Sequence, residues 1–150
     1  MPSIYTYTCS HCLFALPSGW GGGSYVLDDD GAMVPCPHPG EYSRMARVLG
    51  IPVEKVDFGM YLVLMNKHPR WWWLPERTRL FELLTARTGQ YSWCVCEGCL
   101  APFRLDIERS PRECPECHGA AISTIWEAVD GPCPKCRSGI IAARDTGAIA

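Results

Sequence analysis

Tyr91–Leu100 reads YSWCVCEGCL and places three cysteines, Cys94, Cys96 and Cys99, within six residues. One tight turn normally gives two thiolates to a tetrahedral metal, spaced as CxxC so that both sulfurs face inward. The stretch therefore holds one cysteine too many. Cys96 and Cys99 have the turn spacing. Cys94 sits two residues before Cys96 on a run that reads as a strand, so the two share a face and Cys94 could stand in for Cys96 as the ligand.

Moving outward, the C-terminal stretch repeats the motif twice, as CPEC (Cys114, Cys117) and CPKC (Cys133, Cys136). Fourteen residues separate the first two turns and fifteen the last two, enough in either case for a hairpin. APFRLDIERSPRE and AAISTIWEAVDGP read as the intervening strands. Glycine follows closely in ECHG and CRSG, where positive φ would aim backbone amides at the sulfurs.

The N-terminal stretch carries a fourth pair, Cys9 and Cys12, in CSHC. IYTYTC alternates and is rich in β-branched and aromatic residues, so it reads as a strand entering that turn. After the glycine-rich SGWGGGS, the run SYVLDDDGAMVPC reads as a hairpin with Asp30-Gly31 at its tip, delivering Cys36 and His38. The three aspartates before Gly31 are most simply a solvated hairpin tip. GWGGG lacks the GK[ST] of a phosphate loop.

The middle has no cysteine. EYSRMARVLG places Tyr42, Met45, Val48 and Leu49 at helical spacing and ends at Gly50, a C-cap. PVEKVDFGMYLVLMNK fits a helix through Val53, Val56, Met60 and Leu64, but its dense apolar run and Gly59 also fit a strand. PERTRLFELLTARTG reads as a helix with Pro75 in its first turn, Leu80, Phe81, Leu83 and Leu84 on its apolar face, and Gly89 at its stop.

These observations predict a small metal-stabilised α+β protein in three consecutive parts. Residues 1–40 form an N-terminal hairpin unit, residues 41–90 a mainly helical middle, and residues 91–150 a C-terminal region of three CxxC turns. Units so small bury little apolar surface for their chain entropy and need staples. The N-terminus has no basic stretch followed by an apolar run to direct secretion, which points to a reducing, cytoplasmic setting where CxxC pairs are metal ligands rather than disulfides. No apolar run approaches the roughly 20 residues of a membrane span. A formal charge of −2 excludes the general basicity of a phosphate binder, leaving room for a local basic face.

The knuckle-and-hairpin order, with Cys9, Cys12, Cys36 and His38 at one end and CEGC, CPEC and CPKC at the other, resembles the zinc ribbon (rubredoxin-like) group. The resemblance covers the two ends of the chain and implies metal and fold rather than task. The N-terminal CPH departs from the usual second CxxC.

Ligands are assigned by order along the chain. Cys9, Cys12, Cys36 and His38 make one set, and Cys96, Cys99, Cys114 and Cys117 a second. Cys94, Cys133 and Cys136 remain as a third metal's partial set, with His118 and His68 as candidate fourth donors. Pairing CEGC or CPEC with CPKC is a rival arrangement. The metal is Zn²⁺ at two or three sites, with iron the alternative for four thiolates. Cys94 reads equally well as a small buried apolar residue.

The function expected is that of a non-enzymatic zinc-binding interaction or regulatory module, with nucleic-acid binding as the alternative. HPRWWWLPERTR mixes Trp71, Trp72 and Trp73 with Arg70 and Arg77, a composition suited to packing or to a protein partner. A zinc enzyme fits less well. No histidine is followed by the HxE of a zinc deaminase, and neither HExxH nor GxSxG occurs.

Overall fold

The computed structural model describes residues 3–64 and 75–149. It is a mixed α+β structure of eight strands and four helices among the described residues, falling into two compact units. One unit joins Met1–Gly23 to Tyr91–Ala150, and the other is Ser24–Gln90. The expected division into three consecutive parts is thus replaced. The expected N-terminal unit of residues 1–40 is cut between Gly23 and Ser24, and its first part belongs with the C-terminal region.

In the first unit, β1 (Ser3–Cys9) lies antiparallel between β2 (Ala15–Gly19) and β8 (Ile141–Ile149), with Cys9 opposite Ile141. Pairing of these two distant strands fixes the architecture, because it brings the CSHC turn beside the chain that has just left CPKC. The aromatic ladder of β1 continues outward, with Trp126 edge-on to both Tyr5 and Tyr7 and donating its indole N–H to the Trp20 carbonyl.

The strand quoted at the outset becomes β5 (Thr88–Cys96), antiparallel to β6 (Pro102–Leu105) and to β7 (Ile122–Thr124). AAISTIWEAVDGP is not one strand. β7 ends at Thr124, whose side chain accepts the Glu127 amide while Glu127 accepts the Thr124 amide, and this reciprocal cap starts the single-turn helix α4 (Ile125–Ala128).

The second unit takes up β3 (Gly22–Leu27) from Ser24 onward, and that strand and β4 (Met33–Cys36) form the expected hairpin. Asp28 Oδ1 accepts the amides of Asp30 and Ala32, and Gly31 takes φ 79°, so the first aspartate holds the tip while Asp29 pairs with Arg87. Helices α1 (Glu41–Leu49), α2 (Val53–Leu64) and α3 (Pro75–Arg87) follow. Gly50 caps α1 in the left-handed region, its amide bonding to the Ala46 carbonyl.

The ambiguous α2 is a helix because Val56, Gly59 and Met60, at positions i, i+3 and i+4, are its buried residues. A methyl group at Gly59 would run into Leu84 of α3, so glycine here sets how closely those two helices approach. The core of this unit gathers Val26, Cys36, Met45, Ala46, Val56, Met60 and Leu84. No helix among the described residues is long and apolar enough to cross a membrane.

Candidate metal centres

Eight of the ten cysteines form two groups of four, both within the first unit. Cys9 and Cys12 meet Cys133 and Cys136. Cys96 and Cys99 meet Cys114 and Cys117. Within each group all four Sγ atoms lie within 4.8 Å of one another.

Four sulfurs about 2.3 Å from one zinc at tetrahedral angles stand about 3.8 Å apart. The observed edges are 3.7 Å for Cys9–Cys136 and 3.8 Å for Cys12–Cys133, and 3.5 Å for Cys96–Cys117 and 3.6 Å for Cys99–Cys114. A disulfide would bring two sulfurs to about 2.05 Å, so the groups have the dimensions of tetrathiolate metal cages rather than of paired cystines. The donor set fits zinc or iron.

The turns that carry these thiols share one backbone pattern. In CEGC, CPEC and CPKC the amide four residues after the first cysteine returns to that cysteine's carbonyl, as in Leu100 to Cys96, His118 to Cys114 and Arg137 to Cys133. The amide of the first cysteine in turn bonds forward, to Ala101, Gly119 and Gly139 respectively. Closing such a loop requires one left-handed residue, and Leu100, His118 and Arg137 occupy that region with φ of 64°, 58° and 58°. The positive φ thus falls on the residue directly after the second cysteine, not on the glycines that follow.

Gly139 has another purpose. A Cβ at Gly139 would lie 2.6 Å from Cys9 Sγ and 2.9 Å from the His11 amide nitrogen, so the chain passes too close to the facing knuckle for any side chain. In all four turns the first cysteine is buried and the second is more exposed. Each cage therefore has a sealed side and an open side.

Backbone amides prepare the sulfurs for negative charge. Burial pushes the Cys9 thiol up, but the amides of His11 and Cys12, each 3.3 Å from Cys9 Sγ, outweigh it and hold it down to about 6. Its neighbour Cys12 feels the Phe14 amide pulling down, yet burial and the adjoining Cys9 push it up to about 11. In the second group the Cys99 amide brings Cys96 down to about 7. At Cys99 the Ala101 amide pulls the thiol down, but burial and the neighbouring sulfurs dominate and drive it up to about 12. The Gly139 amide likewise holds the Cys136 thiol below its ordinary value, so each cage mixes sulfurs that ionise readily with sulfurs that resist, as clustered anions in need of a cation do.

The grouping differs from the one read off chain order. Cys36 and His38 belong to no metal-sized group among the described residues. Cys36 lies in the core of the second unit with its Sγ 3.6 Å from the Val34 carbonyl, and burial pushes its thiol up. His38 Nδ1 stands 2.6 Å from Glu41 Oε1 at the start of α1. The hairpin that was to return Cys36 to Cys9 carries it into a helical unit instead, and CPKC takes the vacated role. The quartet Cys96, Cys99, Cys114 and Cys117 is brought together as grouped.

Cys94 is fully buried beside Cys96, Cys114, Ile122 and Phe103, with its Sγ 3.7 Å from the Ser92 carbonyl. Burial pushes its thiol up to about 11. It behaves as the small apolar residue of the two readings, and the third metal loses its ligands because Cys133 and Cys136 serve Cys9 and Cys12. His118, a candidate donor for that metal, instead sets Nδ1 2.8 Å from Glu113 Oε1. His68, Arg70, Trp71, Trp72 and Trp73 lie outside the described residues. Arg77, grouped with those tryptophans, places its guanidinium 5.3 Å from the centre of the Phe58 ring. An aromatic and basic cluster that the sequence reading missed lies on β5 and β6, where Arg104 stacks 4.4 Å from the Trp93 ring centre and 5.6 Å from that of Tyr91. Its signal was the alternation of Tyr91 and Trp93 along one strand face.

No family model, curated protein or solved structure matches the chain.

Proposed function

We propose that this chain is a non-enzymatic protein of zinc-ribbon type, in which two zinc ions are structural and the folded surface serves as an interaction or regulatory module. The observation that carries the reading is the pair of four-sulfur cages with tetrahedral edges of 3.5 to 3.8 Å. Four thiolates satisfy zinc completely and leave no coordination position for a substrate or an activated water, as a structural site requires. Bound zinc would supply folding energy on the order of 10 kcal/mol per site. This chain's own residues do the rest. The knuckle amides orient the sulfurs, Gly139 permits the two halves of one cage to close, and β1 and β8 hold those halves in register.

The experiment is a metal count on protein purified under reducing conditions, beside the same count on Cys36→Ala and Cys94→Ala. Two zinc per chain are expected in all three. Fewer than two in the unaltered chain, or loss of one in the Cys36 variant, would refute the assignment. A coloured protein with iron in the same ratio would keep the cages and change the metal. For the module reading, the partner is another protein engaged through Trp71, Trp72 and Trp73 with Arg70 and Arg77. Replacing the three tryptophans by alanine should then leave the metal count unchanged while abolishing partner binding.

A further inference from the structure

The two cages occupy one unit, and β5 ends in one of them while its Val95 lies in the core that surrounds the other. Along β5 successive side chains face opposite ways. Val95 packs with Cys9, Cys133, Ile125 and Ile141, the apolar surround of one cage. Cys94 and Cys96, its neighbours on either side, pack with Cys114 and Ile122, the surround of the other. The same division recurs one strand away. Ile122 of β7, opposite Cys96, belongs to the second core, and three residues later Ile125 of α4 belongs to the first.

The knuckles also meet at the surface. Glu97, inside the CEGC turn, accepts the Ser123 hydroxyl at 3.0 Å and lies 3.5 Å from the guanidinium of Arg137, which directly follows Cys136. A cavity of about 130 Å³ between them is lined by Val95, Glu97, Ser123, Ala128, Pro134 and Arg137. Glu97 and Arg137 are too exposed for their pairing to contribute much. The buried faces of β5 are the stronger connection.

We propose that the two cages are one cooperative metal-binding unit, in which filling the Cys96, Cys99, Cys114 and Cys117 cage raises the metal affinity of the Cys9, Cys12, Cys133 and Cys136 cage through β5, with Val95 as the positioning residue. This rests on the reading of both groups as metal centres. The physical ground is that metal at the second cage fixes Cys96 and so orders the end of β5, and an ordered β5 presents Val95 already in place to the first core. The conformational cost of ordering the strand is met once and shared by both sites. Linkage requires the effect to be equal in both directions.

The test uses cobalt(II) as a spectroscopic substitute for zinc, titrated against a competing chelator in the full chain. Cys99→Ser/Cys117→Ser removes two exposed ligands of the second cage without entering either core. The remaining cage should then bind cobalt about tenfold or more weakly than in the unaltered chain. The mirror variant Cys12→Ser/Cys136→Ser should weaken the other cage by the same factor. Val95→Ala, which leaves all eight ligands in place, should shrink that factor toward one.

Unchanged affinity at the remaining cage, unequal factors in the two directions, or a factor unmoved by Val95→Ala would each overturn the coupling while leaving two metal centres standing. Fewer than two cobalt ions bound by the unaltered chain would overturn the centres as well.

Discussion

Gly139 illustrates how a single residue controls a site to which it contributes no ligand. Its Cα passes the facing knuckle so closely that an added methyl would meet Cys9 Sγ, His11 Cβ and the His11 amide together, and all three belong to a turn whose backbone is fixed by its own hydrogen bonds. Gly139→Ala should therefore lower metal affinity at the Cys9 cage and cost about 1 to 3 kcal/mol of stability by overpacking. Gly119→Ala, whose methyl would sit 3.3 Å from Cys117 Sγ and touch no backbone, should cost less. Denaturant melts of the two variants side by side check the order. The sequence marked both glycines as special but for the wrong reason, because a φ preference is local and visible in the order of residues, whereas close approach to a segment some 130 residues away is not. The same limit hid the fate of Cys36. Nothing in VPCPH distinguishes a ligand from a core thiol until the helices that bury it are in place.

At the scale of elements, α4 is short enough that its ends decide whether it forms. The Thr124 and Glu127 cap is closed on the outside by Arg112, whose Nη1 and Nη2 reach the Glu127 carboxylate at 3.1 and 2.9 Å. Thr124→Ala should cost about 1 kcal/mol, read from denaturant unfolding at neutral pH. The Arg112 hydrogen bond, followed by that of the Thr124 amide, holds the Glu127 carboxyl below its ordinary value. A depressed carboxyl stabilises the fold above the unfolded value of about 4.3, and the contribution is lost as pH falls through the lower folded value. A carboxyl-carbon NMR titration should show Glu127 still ionised where an unpaired glutamate is half protonated, and Arg112→Ala should move its midpoint up. Thr-Ile-Trp-Glu carries the capping signature openly, and strand alternation in the surrounding residues obscured it. In α2 the opposite held. The pattern admitted helix or strand, and the burial of Gly59 against Leu84 made it a helix, a tertiary contact overriding a local ambiguity.

At the scale of the molecule, the two units are stabilised by different means. Both cages belong to the first, while the second gathers an ordinary apolar core around Met45, Val56 and Leu84. A strong chelator under reducing conditions should remove hydrogen-exchange protection from Tyr7, Val95 and Ile125 and leave it at Met45, Val56 and Leu84. Simultaneous loss in both would show that the helical unit depends on metal too. What the sequence showed at this scale was the inventory, with four paired turns and a cysteine-free middle. What it could not show was which turns meet, since ligand spacing is satisfied by several pairings and only the register of β1 against β8 chooses one.

That register also sets an order of assembly in time. The cage sulfurs of Cys96 and Cys117 are 21 positions apart and those of Cys99 and Cys114 only 15, so this cage is complete soon after its first thiol is made. Cys9 and Cys12 wait for partners 127 and 121 positions downstream. At about 5 to 20 residues per second a ribosome leaves them without partners for many seconds. For that interval the chain carries an open dithiol, and of the eight grouped thiols the first two made are the last to find their partners.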